Sequence, residues 1–341
     1  MPIDPRNLSR RELLRDAACW TATAIATGEL AGRSARGEED GANVRQARQA
    51  ASPQECETMA DAADPGYIDA HVHVWTPDTE SYPLSAGYRR EEMQPPSFTP
   101  EQLFAHCRPL GVSRIVLIQM SFYGFDNRYM LDTMEQHPDT FSGVAVIEDD
   151  GDDPASEMRR LRELGVRGFR IYPRNRPLDR WLDGAGMRAM WRCGAEENVA
   201  MCHLVNPDAL PMIDTMCEEF PDTPVVIDHF GRVGIDGTIR EADVQNLVRL
   251  ARHRRTHVKL SAFYALGKKK APYDDLIPMI RQLLDAYGPQ RLMWATDCPY
   301  QVVGGHEYLP SLELIRDRLD FLSEGDRDWL LRRTAESVFF T

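Results

Sequence analysis

Two histidines separated by one residue are the clearest candidates for chemistry in this chain. His71 and His73 lie in the segment YIDAHVHVW, where apolar residues alternate with polar ones. This period of two predicts a β-strand and places both imidazoles on one face of it. Such a pair can bind one metal ion or one substrate, whereas imidazoles in a hydrophobic core need hydrogen-bond partners. The pair alone leaves two interpretations open: a metal or catalytic site, and a strand with two exposed or hydrogen-bonded histidines.

The segments that must position these histidines alternate between short apolar runs and longer helical patterns. Eight runs predict strands, at residues 67–75, 114–120, 143–148, 167–172, 199–204, 224–229, 257–263 and 291–297. This alternation predicts an α/β protein with a (β/α)8 TIM barrel. An open doubly wound sheet is the alternative, but it more often has a glycine-rich phosphate loop after its first strand, and none is present. Residues 76–97 predict a lid or active-site loop.

Polar side chains collect at the predicted carboxyl ends of these strands, where barrel enzymes carry their active sites. In chain order they include His71, His73, Trp75, Gln119, Arg170, Tyr172, His203, Asp228, His229, Arg232, Lys259 and Asp297. Four of the nine histidines fall at strand ends, and this clustering favours a functional site over scattered core histidines. A ligand set suited to zinc or manganese would be His71, His73, His203 and Asp297. His229 would then act as a general acid or base.

These strand ends resemble those of the amidohydrolase superfamily, in its amidohydrolase-related branch. The matching segments are IDAHVHVW, MCHL, VVIDHFG and MWATDCP, and the resemblance covers about residues 67–339. The branch includes lactonases similar to 2-pyrone-4,6-dicarboxylate lactonase and L-fuconolactonase, and nonoxidative decarboxylases similar to aminocarboxymuconate semialdehyde decarboxylase. The resemblance implies metal ligation by His71, His73, His203 and Asp297, and catalysis by His229. In lactonase relatives Asp297 corresponds to a base that can activate water, and the metal can be absent.

The residue near the end of the fourth predicted strand limits the number of metal ions. Two-metal members of the superfamily carry a carboxylated lysine there, but this chain has Arg170. An arginine cannot be carboxylated, and its fixed charge repels a second metal. The four lysines of the chain, at 259, 268, 269 and 270, are all far from this strand in sequence. We therefore expect one divalent metal, zinc or manganese, or none.

The predicted barrel mouth is basic, although the chain has a formal net charge of −13 and a pI near 5.2. The basic candidates are Arg170, Arg174, Arg176, Arg232 and Lys259. They suit a small anionic substrate, because guanidinium groups bind carboxylates in a bidentate manner. Arg174 and Arg176 have an alternative interpretation as solvated loop charges. Further substrate-binding candidates are Trp75, Gln119 and Tyr172. The negative balance argues against binding to nucleic acid or to an anionic membrane.

We expect a hydrolase that opens a lactone or related ester of a small carboxylated compound. Arg170, with His229 or the metal, would polarise the carbonyl, and water activated by Asp297 or by the metal would attack it. The alternative enzyme is a nonoxidative decarboxylase on the same mononuclear site, with His229 delivering a proton to carbon. A barrel that only binds a ligand is disfavoured by the complete polar set at the strand ends. The oligomeric state is open, and a homo-oligomer is compatible with the sequence.

Residues 1–64 differ from the rest of the chain, because they contain no Phe or Tyr and a single Trp. Such a segment cannot bury enough apolar area to offset the entropy of ordering, which predicts a disordered or processed extension. Arg10 and Arg11 resemble the pair of a twin-arginine export signal, although the apolar stretch after them is weak. Export to the periplasm and a cytoplasmic location with a chance arginine pair are both open. Pro65 and Gly66 predict the boundary with the folded domain, residues 65–341.

Overall fold

The computed structural model describes residues 65–174 and 176–341. The predicted leader, residues 1–64 with its twin-arginine motif, lies outside this range. Eight parallel strands form the barrel, and each strand is hydrogen-bonded to the next one in chain order. This topology confirms the predicted (β/α)8 fold. The strands are β1 (Tyr67–Val72), β2 (Val112–Ile118), β3 (Phe141–Ala145), β4 (Val166–Ile171), β5 (Ala200–His203), β6 (Val225–Ile227), β7 (Thr256–Leu260) and β8 (Leu292–Trp294).

Helices connect consecutive strands, as the barrel fold requires. They are α1 (Pro100–Cys107), α2 (Arg128–Gln136), α3 (Pro154–Glu163), α4 (Ala185–Glu197), α5 (Leu210–Glu219), α6 (Glu241–Arg249), α7 (Ile277–Tyr287) and α8 (Tyr308–Arg316). The chain closes with α9 (Glu324–Asp328), a π-helical turn (Trp329–Arg333) and α10 (Thr334–Phe339). The local sequence determines where some of these helices begin. The side chain of Asp153, for example, accepts a hydrogen bond from the Ser156 amide at 3.1 Å and caps α3.

The seam between β8 and β1 closes through backbone hydrogen bonds at the mouth of the barrel. The His73 amide donates to the Cys298 carbonyl at 2.8 Å, and the Asp297 amide donates to the His71 carbonyl at 2.9 Å. These bonds tie the His-x-His strand to the segment that carries Asp297. Two halves of the predicted ligand set are therefore neighbours in the fold, although more than 200 residues separate them in sequence.

A buried carboxylate reinforces the same seam. Asp69 in β1 accepts hydrogen bonds from Thr296 Oγ1 at 2.6 Å, from the Thr296 amide at 2.9 Å and from the Tyr308 hydroxyl at 2.7 Å. Burial raises the pKa of Asp69 to about 6, against the lowering effect of these donors. Because Asp69 lies two residues before His71 and Thr296 lies directly before Asp297, these bonds fix the two segments relative to each other.

Apolar side chains pack in two groups, one inside the barrel and one outside it. The interior group comprises Ile68, Ala70, Val116, Ile118, Val144, Ala200, Cys202, Val226, Met293, Ala295, Ala335, Val338 and Phe339. Phe339, at the end of α10, lies near the starts of β3 and β4 and so fills the amino end of the barrel. The larger group lies between the strands and the surrounding helices. This packing leaves the carboxyl end of the barrel for polar side chains.

Several segments differ in detail from the sequence-based expectation. β6 and β8 are three residues long and end before the predicted limits of residues 229 and 297. The chain leaves them through residues with left-handed backbone angles, which cannot continue a strand. Residues 76–97, predicted as a lid, are irregular apart from a short turn at Arg90–Glu92. No helix within the described ranges is both long enough and apolar enough to cross a bilayer.

Candidate active site

The carboxylate of Asp297 lies at the centre of the candidate site. Its Oδ1 atom is 3.4 Å from His71 Nε2, 3.3 Å from His73 Nε2 and 3.8 Å from His229 Nε2. All four residues are buried, and none is more than 6% exposed. The ends of β1, β6 and β8 therefore bring together four of the residues predicted to form the site.

Unusual backbone turns place two of these side chains. After β6, four consecutive residues have φ between 53° and 60°: His229, Phe230, Gly231 and Arg232. After β8, Asp297 has φ of 70°. Left-handed φ is uncommon for residues other than glycine, so these turns carry backbone strain. Such strain persists only where the surrounding structure enforces it, and it is concentrated at functional sites.

Asp297 is ionised and His229 is neutral near neutral pH. Burial acts to raise the pKa of Asp297, but the neighbouring His229 and the contact with His73 outweigh it and hold the pKa below its usual value. Burial lowers the pKa of His229 to about 4, against the attraction of Asp297. The His229 Nδ1 atom lies 2.8 Å from Ser261 Oγ, which orients the ring. An ionised carboxylate beside a neutral imidazole can accept a proton and pass it on.

A second buried carboxylate, Asp228, lies behind His71. Lys259 Nζ is 3.1 Å from Asp228 Oδ1, and Arg170 Nη2 is 3.6 Å from Asp228 Oδ2. Burial acts to raise the pKa of Asp228, but Lys259 and His71 outweigh it and hold the pKa well below its ordinary value. The same two cations flank His71, with Lys259 Nζ 3.2 Å from Nδ1 and Arg170 Nη2 3.0 Å from Nε2. Burial and Lys259 together hold the pKa of His71 well below its usual value.

The described residues fit a single divalent metal ion at this site. Ligand atoms of His71, His73 and Asp297 all lie within 4.8 Å of one another. His73 donates from Nδ1 to the Ile118 carbonyl at 2.9 Å, and His71 Nδ1 lies 3.3 Å from Asp228 Oδ1. An acceptor beside each Nδ1 atom favours the tautomer with its lone pair at Nε2, as is typical of metal-binding histidines, although Arg170 also contacts the Nε2 atom of His71. Two imidazoles and one carboxylate suit zinc or manganese.

His203, the remaining predicted ligand, is not brought into this group. Its ring lies between the indoles of Trp181 and Trp191, at centroid distances of 5.8 Å and 5.5 Å. In β5, Ala200 and Cys202 face the barrel interior, so the next residue faces the surrounding helices. Burial lowers the pKa of His203 to about 3, and neither ring nitrogen has a hydrogen-bond partner among the described residues. The group that the described residues form therefore has two histidines and one aspartate, and it does not include the predicted ligand His203.

Three predicted substrate-binding side chains are engaged by the fold itself. Trp75 is fully buried and donates its indole N–H to the Pro95 carbonyl at 2.9 Å. Gln119 is buried, and its amide donates to the Asp126 carbonyl at 2.7 Å. Lys259 is fully buried and paired with the carboxylate behind His71. Each of the three polar groups therefore has a protein partner, and contact with a substrate stays a prediction.

Other predicted substrate-binding groups surround a small cavity at the end of β4. Its lining includes Asp149, Arg170, Tyr172, Arg174 and Arg176, and its space of about 10 Å³ holds about one water molecule. Arg174 Nη1 lies 3.2 Å from Asp149 Oδ1, and Arg176 pairs with Asp149 Oδ2. Asp149 is 4% exposed, so a buried carboxylate holds both arginines. This arrangement differs from the alternative of freely solvated loop charges.

Two side chains at the site were not assigned a role from the sequence. Asp228 lies two residues after Val226, which faces the barrel interior, so the period of two in a strand could have predicted that Asp228 points inward. The Tyr264 hydroxyl donates to Asp297 Oδ2 at 2.6 Å. Burial raises the pKa of Tyr264 well above its usual value, with the charge of the predicted site residue Arg232 acting in the opposite sense. Tyr264 follows a turn beyond β7, where no pattern in the sequence indicates its direction.

Comparison with known proteins identifies the family. The family model described as Amidohydrolase matches residues 68–341. The 4-sulfomuconolactone hydrolase of Hydrogenophaga intermedia is 30% identical over 240 residues, covering 69% of this chain and 75% of that protein. The L-fucono-1,5-lactonase of Burkholderia ambifaria is 28% identical over 248 residues, covering 70% of this chain and 82% of that protein. A crystal structure of a probable 2-pyrone-4,6-dicarboxylic acid hydrolase from Acinetobacter baumannii has the same fold, with 22% identity and a TM-score of 0.67 over 81% of this chain and 100% of that one. The family model and these relatives confirm the resemblance seen at the strand ends, and the chain belongs to the amidohydrolase family.

Proposed function

We propose that this chain hydrolyses a lactone or related ester of a small carboxylated compound. The observation that carries the proposal is the ionised Asp297 carboxylate, whose Oδ1 lies within 3.8 Å of three buried imidazole nitrogens. A carboxylate in this position can take a proton from water, and a neutral imidazole beside it can orient that water. The relatives named for lactone hydrolysis support the same class of reaction.

The proposed reaction begins with a water molecule beside Asp297 Oδ1. Asp297 takes one proton from the water as the water oxygen forms a bond to the lactone carbonyl carbon. N–H groups of Arg170 and His229 stabilise the negative charge that develops on the carbonyl oxygen. The ring C–O bond then breaks, and the proton held by Asp297 passes to the leaving oxygen. The product is an open-chain hydroxy acid, and Asp297 returns to its carboxylate form.

We infer that His71, His73 and Asp297 hold one divalent ion, zinc or manganese. When bound, such an ion supplies Lewis-acid polarisation of a carbonyl group. Elemental analysis of protein purified without chelator tests this assignment, with one equivalent of metal expected at most. The assignment fails if the protein holds no divalent metal and added zinc or manganese changes no activity.

The basic side chains at the mouth support a small anionic substrate. Arg170, Arg174 and Arg176 line the cavity at the end of β4. Guanidinium groups bind planar carboxylates through two parallel hydrogen bonds. Arg174 and Arg176 share the single carboxylate of Asp149, so this group keeps a net positive charge that a substrate carboxylate can meet. We therefore propose that anionic lactones are bound in preference to neutral ones.

Three lactones, taken from the names of the relatives, test the reaction and this preference together. Two are anionic, 4-sulfomuconolactone and 2-pyrone-4,6-dicarboxylate, and one is neutral, L-fucono-1,5-lactone. Ring opening releases a proton in weakly buffered solution, so a pH indicator follows it directly. We expect kcat/KM for at least one anionic lactone to exceed that for the neutral lactone by about tenfold or more. Absence of ring opening with all three would count against lactone hydrolysis, and a preference for the neutral lactone would count against the anionic subsite.

Nonoxidative decarboxylation at the same site is the alternative reaction. His229 would then deliver a proton to the carbon atom that loses carbon dioxide. Measurement of carbon dioxide in the same incubations separates the two reactions, because lactone hydrolysis releases none. Carbon dioxide released in step with substrate loss would replace the lactonase proposal by the decarboxylase.

We also propose, from the sequence alone, that the leader directs export to the periplasm by the twin-arginine route. Arg10 and Arg11 precede a weak apolar stretch, and the leader lies outside the described residues. The full chain and its Arg10→Lys, Arg11→Lys variant can be expressed and fractionated. Periplasmic protein that depends on the arginine pair is the expected result, and cytoplasmic retention of both chains would contradict export.

A further inference from the structure

The two oxygens of the Asp297 carboxylate have different surroundings. Oδ1 faces the imidazoles of His71, His73 and His229, at 3.3 to 3.8 Å. Oδ2 faces away from them and accepts a hydrogen bond of 2.6 Å from the Tyr264 hydroxyl. One oxygen is therefore available for reaction, while the other is held by a neutral donor.

The loop after β7 holds Tyr264 firmly against Asp297. Ala262 has φ of 55°, and the short helical turn Phe263–Ala265 then carries Tyr264 towards the site. Tyr264 is 8% exposed, and its ring packs at 6.4 Å from Tyr300 and at 5.9 Å from His306. Because these contacts hold the ring, the position of its hydroxyl is defined by packing as well as by the hydrogen bond.

A carboxylate needs such a restraint to act as a base in a defined direction. The terminal torsion of an aspartate is broad, so its two oxygens exchange places easily unless a partner holds one of them. A carboxylate offers only acceptors, whereas the Tyr264 hydroxyl can donate a hydrogen bond. The phenol is thus the donor in this hydrogen bond, and Asp297 keeps its own lone pairs at Oδ1.

We propose that Tyr264 is a positioning residue that fixes the rotation of the Asp297 carboxylate and so selects Oδ1 as the oxygen that meets water. This inference rests on the proposed function for the reaction that Oδ1 serves. It adds Tyr264 to the contributions that Lys259 and Ser261 already make to the site from β7 and its end. Tyr264 acts through Asp297 and needs no contact with the substrate.

The neighbouring Tyr300 provides a matched control. Tyr300 is also buried, and its ring packs against that of Tyr264, but its hydroxyl contacts Met120 Sδ at 3.9 Å and not Asp297. Tyr264→Phe and Tyr300→Phe each remove one hydroxyl and keep the ring, so both variants retain the local packing. Comparison of the two therefore isolates the hydrogen bond to Asp297 from the general loss of a buried hydroxyl.

Steady-state kinetics on the best lactone provide the first test. We expect Tyr264→Phe to lower kcat about tenfold to a hundredfold with KM changed less than about threefold, because substrate binding is kept while the base is misaligned. Tyr300→Phe should keep kcat within about threefold. The inference is overturned if Tyr264→Phe keeps kcat within about twofold, or if both variants lose activity equally.

Crystal structures of the wild type and of Tyr264→Phe provide a test that does not depend on the reaction. We expect the Asp297 carboxylate to rotate or to occupy two orientations when the phenol oxygen is removed. An unchanged, single orientation of Asp297 in Tyr264→Phe would overturn the positioning role. If no lactone is hydrolysed by the wild type, the proposed function fails, and the structures still decide the role of Tyr264.

Discussion

Two buried carboxylates with different partners define the site at the scale of residues. Asp297 faces three imidazoles, whereas Asp228 faces Lys259 and Arg170. Removing a charge from water costs several kcal/mol per ion, and a close partner of opposite charge is needed to offset this cost. Asp228 therefore acts as the counter-ion for cations that flank His71, and it leaves Asp297 as the carboxylate that is free to react.

Replacing Asp228 by Asn would leave the buried Lys259 without its counter-ion. We expect Asp228→Asn to lower the free energy of unfolding by about 3–5 kcal/mol, measured by urea denaturation. Adding Lys259→Met should recover part of the loss, because it removes the unpaired buried ammonium group. Asp236→Asn, which breaks an exposed pair with Arg240, should leave the unfolding free energy essentially unchanged. A loss for Asp228→Asn as small as that for Asp236→Asn would contradict the buried ion pair.

The charge of Arg170 should limit the affinity of the site for metal. Its Nη2 atom lies 3.0 Å from His71 Nε2, so a divalent ion bound there meets a positive charge. We expect Arg170→Met to tighten zinc binding at least about tenfold in isothermal titration calorimetry, because the repulsion is removed. Arg240→Met, a surface variant, should bind zinc like the wild type. Unchanged or weaker zinc binding by Arg170→Met would show that Arg170 does not oppose the metal.

Strand-end position was sufficient to find His71, His73, His229 and Asp297, because the carboxyl ends of parallel strands meet at one end of a barrel. It was not sufficient for His203, since the direction of that side chain depends on which residues of β5 face inward. Sequence position also could not show that Gln119 would be bound by a loop carbonyl. Such partners depend on the three-dimensional course of loops, which periodicity does not encode.

At the scale of elements, irregular strand ends direct the functional side chains. A residue with left-handed φ follows closely after each of three strands: His229 after β6, Ala262 after β7 and Asp297 after β8. The pairing of β1 with β2 contains a register shift. Asp69 pairs with Ile115 and Val72 pairs with Leu117, so an advance of three residues in β1 matches an advance of two in β2. This bulge lets His71 turn into the barrel mouth, although Asp69, two residues earlier, bonds to the Tyr308 hydroxyl in α8.

Close packing of α4 against the end of β3 makes Gly186 indispensable. A Cβ atom at Gly186 would lie 2.0 Å from the carbonyl oxygen of Asp149, a backbone atom that cannot move aside freely. We expect Gly186→Ala to lower the free energy of unfolding by about 1–3 kcal/mol despite the better helix propensity of alanine. Gly325→Ala is the matched control, since its Cβ would meet only Ser323 Oγ at 3.7 Å. Thermal denaturation measures both, and a wild-type midpoint for Gly186→Ala would contradict the packing.

The existence and order of the eight strands could be predicted from apolar runs of strand length, because buried parallel strands are apolar on both faces. The positions of the strand ends could not be predicted in this way. The runs predicted at 224–229 and 291–297 extend past Ile227 and Trp294, because Asp228 and Asp297 continue the strand pattern while the backbone has already turned. The bulge in β1 was equally invisible, since it changes side-chain direction without changing composition.

At the scale of the whole molecule, an acidic protein presents a locally basic mouth. The formal net charge is −13, so the surface as a whole repels small anions. Salt screens that long-range repulsion over about 10 Å at moderate ionic strength, whereas the paired guanidinium groups at the mouth act at contact distance. The proposed selection of an anionic substrate would therefore have to come from the local arrangement of arginines and not from the overall field.

Three buried neutral histidines should make the whole fold sensitive to acid. Burial lowers the pKa of His203 to about 3 and of His229 to about 4, and burial with Lys259 also lowers that of His71. Below pH 6.5 the unfolded chain binds protons that the folded chain excludes, so the free energy of unfolding falls as pH falls, by at most about 1.4 kcal/mol per pH unit per histidine. Asp69, with its raised pKa, acts in the opposite sense between about pH 4 and 6, but one group does not offset three.

Thermal denaturation of metal-free protein at several pH values measures this effect. Chelator is needed because a bound cation would itself exclude protons from His71. We expect the midpoint at pH 5 to lie below that at pH 7.5. A midpoint that stays constant or rises on acidification would show that the three imidazoles are not held neutral by burial.

The account depends most directly on Asp297 as the base for lactone hydrolysis, and one comparison of kcat tests this. Asp297→Asn keeps the size of the side chain but cannot take a proton from water, so kcat on the best lactone should fall about a thousandfold or more. Asp236→Asn, with the same chemical change on the surface, should keep the wild-type kcat. Near-normal turnover by Asp297→Asn, in a variant that is folded by circular dichroism, would contradict the site and the reaction proposed for it.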